Sequence, residues 1–428
     1  MVIGLSMFII FLVLLGIGFP VSFSMAIATI VALFMGGYAT EVISLTIVEG
    51  IKGYTLLAIP LFILAGNLMN TSGITQRIFD FCTALLGHIR GGLAQVNIFA
   101  SVIFAGISGT AVGDQAGLGA VELKAMVDKG YRKPFSAALT LASSVIGAII
   151  PPSVPLIVYA YLAEVSVEKL FMAGIIPGLI IALTLAVYVH FGVTKGTITA
   201  PPPAPFELKT LGKTFKDGFF ALLAPAVILG GMLGGVVTPT EAGLIAVIYS
   251  LICAAIYKEF TWASLKEGFI SSIHSTALIM FLIGVGSAMG WIISAEQLPV
   301  LLSDFLLDVT ENKFFMLLII NILLLFLGSI MEGIPIKLIM IPILLPIIDS
   351  LGIDRIHFGI VMCYNLLIGM ATPPVGLGLY VMSRVGKIPF ESIVKSIIPF
   401  YIPLIIALVL ITYFPQLSLW LPSLLSSQ

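Results

Sequence analysis

Two short glycine-to-proline motifs, far apart in the chain, have the composition of ion- and anion-binding sites. They are Gly147–Pro152 and Gly369–Pro374, each ending in Pro-Pro, and their offset is 369 − 147 = 222 residues. Proline removes an amide hydrogen and clashes with the carbonyl one turn earlier, so a helix must open at each motif. The freed carbonyls can cage a hard cation, while half-helix N-termini direct positive dipole ends at an anion. The motifs therefore predict two cation sites beside one anionic substrate.

Hydroxyl groups near the two motifs could complete these cages. They belong to Ser108, Thr110, Ser143, Ser144 and Thr372. Such paired breaks in the two halves of a membrane chain are the best sequence pointer to a transporter's binding site.

Ionisable residues within apolar stretches are normally functional. Asp114 either contacts the substrate or caps a returning half-helix. Glu332 lies 222 residues after Thr110 and either lines the site or orients the backbone there. Lys337 could balance a substrate carboxylate or pair with Glu332. We take Asp114, Ser144 and Asn365 as candidate substrate contacts.

The composition indicates an all-α polytopic membrane protein. Hydrophobic residues make up 59% of the 428 residues and charged residues only 10%, against about 25% charged in soluble domains. Lipid offers no partners to exposed backbone groups, so spanning segments must bond internally as helices. The chain shows no basic run typical of nucleic-acid binding, and no motif for ATP or a catalytic metal. We therefore expect no cofactor and no catalytic residue.

The chain contains an internal repeat around these motifs. IGAIIPP at 146–152 reappears as IGMATPP at 368–374, and the offset of 222 also pairs glycines and prolines on both sides. Further out, Pro20 aligns with Pro239 and Gly66 with Gly286. A polar, proline-rich stretch at 194–218 separates the two halves and is predicted to be a cytoplasmic linker.

Charge predicts that the two repeats are inverted in the membrane. Segments 77–92 and 121–134 carry six basic and three acidic residues, whereas the equivalent segments 299–314 and 343–356 carry two basic and five acidic ones. Basic residues stay cytoplasmic, so equivalent positions face opposite sides. Both termini are then predicted on the outer side of the membrane.

Each repeat is predicted to contain a re-entrant hairpin followed by a discontinuous helix. The hairpins are 93–121, with its tip near Ser108–Asp114, and 314–348, with its tip near Gly328–Pro335. The broken helices are 135–163 and 357–384. Irregular backbone at such depth is tolerated only where it faces protein or a watery cavity.

Three runs carry a family resemblance: SGTAVGDQAGLG, IGAIIPPSVPLIVYA and IGMATPPVGLGLYV. They resemble the large membrane subunit of the tripartite ATP-independent periplasmic (TRAP) transporters, within the ion transporter superfamily. The resemblance covers essentially the whole chain, although VGDQAG replaces the alanine-rich run of many members. It implies an elevator-type fold, with scaffold helices at 1–75 and 219–312 and a transport domain built from 76–193 and 313–428.

The resemblance also implies sodium as the coupling ion and places two sodium sites between the hairpin tips and the broken helices. Carried over to this sequence, the first site comprises Ser108, Gly109, Thr110, Ser143, Gly147 and Pro152. The second comprises Gly328, Glu332, Gly369, Thr372 and Pro374. No metal other than Na⁺ is implied.

The resemblance further implies two partner proteins, a small four-helix membrane subunit and a periplasmic substrate-binding protein. The expected substrate is a small organic acid anion, for which a C4-dicarboxylate, sialic acid, a sugar acid and a sulfonate all stay open.

Two alternatives remain. A stand-alone sodium/dicarboxylate symporter of the same superfamily would share the fold without a binding protein. The string Gly106–Gly109 matches the GxSG of intramembrane serine proteases, a function that would require His190 or His274 beside Ser108.

Overall fold

The chain folds entirely into helices and their connections over the residues that the structure, a computed structural model, describes: 2–203 and 205–425. Eight of these helices are long and apolar enough to cross a membrane, and several shorter apolar helices accompany them. The predicted all-α polytopic fold is confirmed.

The described part of the first half contains eleven helices and a 3₁₀ turn at Tyr54–Leu57. The helices are α1 (Val2–Gly16), α2 (Val21–Gly36), α3 (Glu41–Ile51), α4 (Ala58–Thr71), α5 (Ile74–Leu86), α6 (Gly92–Ser108), α7 (Ala111–Ala116), α8 (Leu118–Asp128), α9 (Lys133–Gly147), α10 (Val154–Ala163) and α11 (Val167–Thr194).

The second half contains another eleven helices among the described residues and a 3₁₀ turn at Ile398–Phe400. The helices are α12 (Leu208–Leu233), α13 (Pro239–Ile256), α14 (Trp262–Ala295), α15 (Leu298–Val309), α16 (Lys313–Ile330), α17 (Gly333–Ser350), α18 (Arg355–Met370), α19 (Leu377–Gly386), α20 (Phe390–Ile397), α21 (Tyr401–Tyr413) and α22 (Gln416–Leu425).

The helices of the two halves correspond at the offset seen in the sequence. Moving α6 forward by 222 residues gives 314–330, which is α16 without its first residue, and the returning arm 111–128 becomes 333–350, which is α17. Likewise α9 matches α18, and α10 matches α19 to within one residue. One difference is local: the first returning arm is interrupted at Gly117, between α7 and α8, whereas α17 is continuous.

The hairpins and broken helices are slightly longer than the sequence predicts. The first returning arm continues to Asp128, and the second hairpin occupies 313–350. The central linker is shorter than predicted, because α12 begins at Leu208 and so includes 208–218.

Side-chain caps begin several of these helices. Asn312 accepts hydrogen bonds from two amides of α16, and Asp354 does the same for α18. Thr238 and Glu241 form a capping box at the start of α13. Such caps satisfy amide groups that have no partner within the helix.

The helices around the two breaks pack across the repeats. Within each repeat, the first hairpin arm lies against the broken helix, α6 on α9 and α16 on α18. The second half of each broken helix packs against the other repeat's hairpin, since α10 contacts α17 and α19 contacts α7. Helices α4 and α14, which are equivalent by the Gly66–Gly286 alignment, contact each other beside this core.

Candidate ion and substrate site

The first hairpin tip is bonded through its backbone to the first helix break. Helix α6 ends at Ser108, and Gly109 adopts a left-handed conformation with φ of 67°. The Gly109 carbonyl accepts a hydrogen bond of 3.0 Å from the Val154 amide at the start of α10. Thr110 then caps α7, because its hydroxyl accepts from the Gly113 amide at 3.1 Å. The turn occupies Gly109 and Thr110, within the predicted tip.

The second hairpin tip makes a similar backbone contact with the second break. The Ser329 carbonyl accepts hydrogen bonds of 3.0 Å from the amides of both Val375 and Gly376, at the end of the second break. Gly376 is equivalent to Val154, so each tip holds the residue that precedes or begins the second half-helix. Gly328 and Gly369 lie in backbone contact, since a Cβ on Gly369 would be 2.6 Å from the Gly328 Cα.

Asp114 lies at the first break, with its carboxylate buried and without a partner. The residue is 3% exposed, and neither carboxylate oxygen has a hydrogen-bond partner. A Cβ on Gly147 would overlap Asp114 Oδ2, so the carboxylate lies directly against the glycine where α9 ends. A buried ionised carboxylate requires a compensating charge or hydrogen bonds. This arrangement suits a bound cation better than a helix cap.

Gln115, the next residue along α7, carries a further buried side-chain oxygen without a partner. Its amide nitrogen donates to Ser144 Oγ at 2.9 Å, while its Oε1 is buried and has no partner. Ser144 Oγ in turn donates to the Leu141 carbonyl at 2.8 Å. Ser144, a candidate substrate contact, is thus bonded within the protein and does not line the cavity described below. Sequence reasoning missed Gln115.

Ser143 belongs to a buried polar network rather than to the tip. Its Oγ donates to Asn97 Oδ1 at 2.7 Å. The Asn97 amide nitrogen donates to Glu122 Oε2 and to Thr140 Oγ1, both at 2.7 Å. The network joins α6, α8 and α9, and its hydroxyl and amide groups already bond one another. Ser143 stays a predicted sodium ligand that this geometry does not favour.

At the second break, the predicted ligands differ in whether their side chains are already hydrogen-bonded within the protein. Glu332 occupies the N-cap position of α17, but its side chain makes no capping hydrogen bond. Thr372 Oγ1 donates to the Ile368 carbonyl at 2.8 Å. The proline pairs also differ, since Pro152 is buried and Pro374 is exposed. The second break is therefore the more open of the two.

Both hairpin tips line one central cavity of about 540 Å³, within the range of about 300–1,000 Å³ typical of small-molecule sites. Of the predicted site residues, the cavity brings together Ser108, Thr110 and Glu332. Asp114 and Asn365 do not line it. Asn365 is completely buried and donates to Asn321 Oδ1 at 2.7 Å, so the predicted substrate contacts at these two positions stay untested and are not favoured by the geometry.

The opposite wall of the cavity comes from α4 and α14, which sequence reasoning did not connect with the site. Their polar lining residues are Asn67, Asn70, Ser271 and Ser275. The available signal was a polar residue within an apolar span, as in LAGNLMN.

Lys337 also lines the cavity, on the hairpin arm that begins after Glu332. Its Nζ donates to the Pro155 carbonyl of α10 at 3.0 Å. The salt bridges within the described ranges, Lys52–Glu49 and Arg355–Asp349, do not include Lys337. The sequence left two alternatives for Lys337, a substrate carboxylate or Glu332 as its partner. The ion pair with Glu332 is not formed in this structure.

The protease alternative finds no geometric support. Ser108 Oγ donates to the Thr110 carbonyl at 3.3 Å. His190 and His274 both lie on exposed faces of their helices, so neither is buried beside Ser108.

These features define an internally repeated helical membrane permease with a solute-sized cavity between its two hairpin tips. The family profile "Tripartite ATP-independent periplasmic transporter, DctM component" matches residues 8–417. The chain belongs to this family of TRAP transporter components, as the resemblance implied.

Relatives in the family carry different substrates in their names. The chain is 41% identical to the sialic acid TRAP transporter large permease protein SiaM of Vibrio cholerae, over 96% of each chain. It is 36% identical to the C4-dicarboxylate TRAP transporter large permease protein DctM of Pseudomonas aeruginosa, over 89% of each. These relatives are permeases, so the chain is a transport protein and not an enzyme.

A solved structure supports the fold independently. The crystal structure of the Alcanivorax borkumensis YdaH transporter matches with a TM-score of 0.60 and 17% identity, over 88% of this chain and 87% of that one. At this identity the likeness concerns the fold alone.

Proposed function

We propose that this large permease subunit couples the uptake of a small organic acid anion to the inward movement of Na⁺. The observation that carries the proposal is the buried Asp114 carboxylate, without a partner, at the point where α9 opens. Na⁺ is a hard cation that takes oxygen ligands. A cation bound there would satisfy oxygens that the protein leaves unpaired.

The first sodium site would combine Asp114 with the backbone oxygens of the Gly147–Pro152 break and of the adjoining tip. The neighbouring residue Gln115 carries another buried oxygen without a partner, Oε1, and would be a further side-chain ligand. Of the ligands implied by resemblance, Ser108, Gly109 and Thr110 form the tip that bonds to this break.

The second sodium site would lie between Ser329 and the Gly369–Pro374 break. Glu332 supplies the carboxylate, because it stands at a helix N-cap without capping. The site borders the cavity, so ion and substrate would bind next to each other.

Substrate movement would occur by displacement of the hairpins and broken helices as one body. They pack on one another across the repeats, whereas α4 and α14 form the far wall of the cavity. Close helix packing at small residues supports such an interface: a Cβ on Gly66 would be 3.3 Å from the Ser108 Cα, and one on Gly286 would be 2.8 Å from the Leu338 Cβ. The equivalent glycines thus face equivalent hairpins.

The proposal includes two protein partners, a small four-helix membrane subunit and a periplasmic substrate-binding protein, and termini outside the membrane. Family membership supports the three-part assembly. The substrate would be an organic acid such as sialic acid, a C4-dicarboxylate, a sugar acid or a sulfonate.

Reconstitution in proteoliposomes tests the proposal. Uptake of an organic acid should require an inward Na⁺ gradient, the small subunit and the binding protein. Uptake by the chain alone would favour the stand-alone sodium symporter. Uptake that is indifferent to Na⁺ would overturn the coupling.

A further inference from the structure

Lys337 places a single buried cation in the wall of the substrate cavity. The side chain is 2% exposed, and Lys337 and Glu332 are the charged members of the cavity lining within the described ranges. Burying an ammonium group is costly unless it is paired. Its hydrogen-bond acceptor here is a neutral backbone carbonyl, that of Pro155, at 3.0 Å.

The ammonium group keeps hydrogen-bonding capacity for a ligand. Cys363 Sγ lies 3.5 Å from the same Pro155 oxygen, so the thiol and the ammonium group share one acceptor. An ammonium group has three N–H donors. Even if one donates to Pro155 and one to the thiol, another is left for an anion in the cavity.

The rest of the polar lining is uncharged. It consists of the amides and hydroxyls of Asn67, Asn70, Ser108, Thr110, Ser271 and Ser275. Such groups bind hydroxyl and amide groups of a ligand, but they cannot neutralise a second carboxylate. Under the proposed function, the charge of Glu332 is matched by Na⁺, so it offers no attraction to a second anionic group.

From this arrangement we infer that Lys337 anchors the substrate's one carboxylate or sulfonate, and that the cavity selects hydroxylated mono-anions over dicarboxylates. The inference rests on the proposed function and narrows its substrate class. Anion and ammonium would form a charge-assisted hydrogen bond within a site of low dielectric, where such bonds are strongest.

Matched probes can test this selection. Gluconate, glucarate and sorbitol share one hydroxylated six-carbon skeleton and carry one, two and no carboxylates. The three ligands are ranked by how far each raises the unfolding temperature of the purified chain with its small subunit, in saturating Na⁺. The expected order is gluconate first, then glucarate, then sorbitol.

Substitution of the lysine should remove the preference. Lys337→Met is expected to weaken gluconate binding on the order of tenfold to a hundredfold, without changing sorbitol binding. Lys337→Arg should keep the preference for gluconate. Lys313→Met, at an exposed lysine of the same hairpin, is the matched control and should leave the order unchanged.

The variants separate an anchoring role from a structural one. Methionine has a similar volume and removes a buried charge, so the unliganded Lys337→Met protein should be as stable as the unsubstituted chain. If the Lys337→Met protein does not assemble, the ligand comparison is made with two other variants. Lys337→Gln also removes the charge, and Lys337→Arg keeps it.

Three results would overturn the inference: stronger binding of glucarate than gluconate, an unchanged gluconate preference in Lys337→Met, or no probe bound better than sorbitol. Sodium-driven uptake of an organic acid that is unaffected by Lys337→Met would also overturn it, while leaving the proposed function intact. If uptake by the unsubstituted assembly does not depend on Na⁺ at all, the proposed function itself is overturned.

Discussion

Ser143 and Asn365 occupy equivalent positions in the two repeats, and each is hydrogen-bonded to an asparagine on the first arm of the hairpin in its own repeat. Ser143 Oγ donates to Asn97 Oδ1, and Asn365 Nδ2 donates to Asn321 Oδ1, both at 2.7 Å. The partners are not themselves at the offset of 222, since 97 + 222 = 319. In each repeat the broken helix is therefore hydrogen-bonded to its own hairpin, but the partner residues in the two repeats are not equivalent.

Removing one of these ties should destabilise the fold rather than weaken substrate binding. Asn365→Ala removes the donor to the buried Asn321 Oδ1, although Asn321 Nδ2 still donates to Thr412 Oγ1. A buried acceptor without its donor costs about 1–3 kcal/mol, so thermal unfolding of the purified subunit should occur at lower temperature. Ser350→Ala, at an exposed helix end, should have little effect. A loss of substrate affinity without a loss of stability would instead support a substrate contact at Asn365.

Neutralising Asp114 should specifically weaken the response to sodium. Asp114→Asn preserves size but removes the charge opposite a bound cation, so the Na⁺ concentration for half-maximal uptake should rise about tenfold or more. Asp128→Asn, at the exposed end of the same hairpin, is the control. An Asp114→Asn protein with unaltered sodium dependence would exclude this carboxylate from the ion site.

A methyl group at Gly286 should slow transport at the interface between α14 and the second hairpin. Its Cβ would be 2.8 Å from the Leu338 Cβ, and such overpacking typically costs about 1–3 kcal/mol. We expect Gly286→Ala to reduce the uptake rate severalfold while sodium affinity is kept. Gly290→Ala lies one turn further along α14, where the nearest atom is 3.9 Å away, and should transport normally. Equal rates for the two variants would argue against a sliding interface here.

Equivalent positions of the two repeats should be accessible from opposite sides of the membrane. Asp128 and Ser350 are related by 128 + 222 = 350, and both are exposed. Cysteines at these positions can be labelled with an impermeant maleimide, because the native cysteines are buried. We expect the residue-350 cysteine to react from outside and the residue-128 cysteine only after permeabilisation. Labelling of both from one side would make the repeats parallel and remove the basis for alternating access.

The backbone of the site was predictable because Gly and Pro act locally. Pro-Pro opens a helix regardless of its neighbours, so the breaks after Gly147 and Gly369 follow from the sequence. The internal repeat then predicted where the two hairpins lie. Their turns, at Gly109–Thr110 and Met331–Glu332, fall within the predicted tips.

The side-chain partners were not predictable, because they depend on helices distant in the chain. Asn365 looked like a cavity residue beside the break, but its position opposite Asn321 follows from how α16 and α18 pack. For the same reason the sequence did not join Asn67 and Ser275 to the hairpin tips, or Lys337 to Pro155. Asp114 was recognised as an unusual charge, but an ion rather than a substrate is favoured as its ligand by three structural features: its contact with Gly147, its lack of a hydrogen-bond partner and its absence from the cavity lining.

Simultaneous measurement of labelled Na⁺ and substrate in proteoliposomes tests sodium-coupled transport most directly. With the small subunit and the binding protein present, the two fluxes should rise and fall together, and an inward Na⁺ gradient alone should accumulate substrate above its external concentration. Substrate accumulation without accompanying Na⁺ entry would contradict the account.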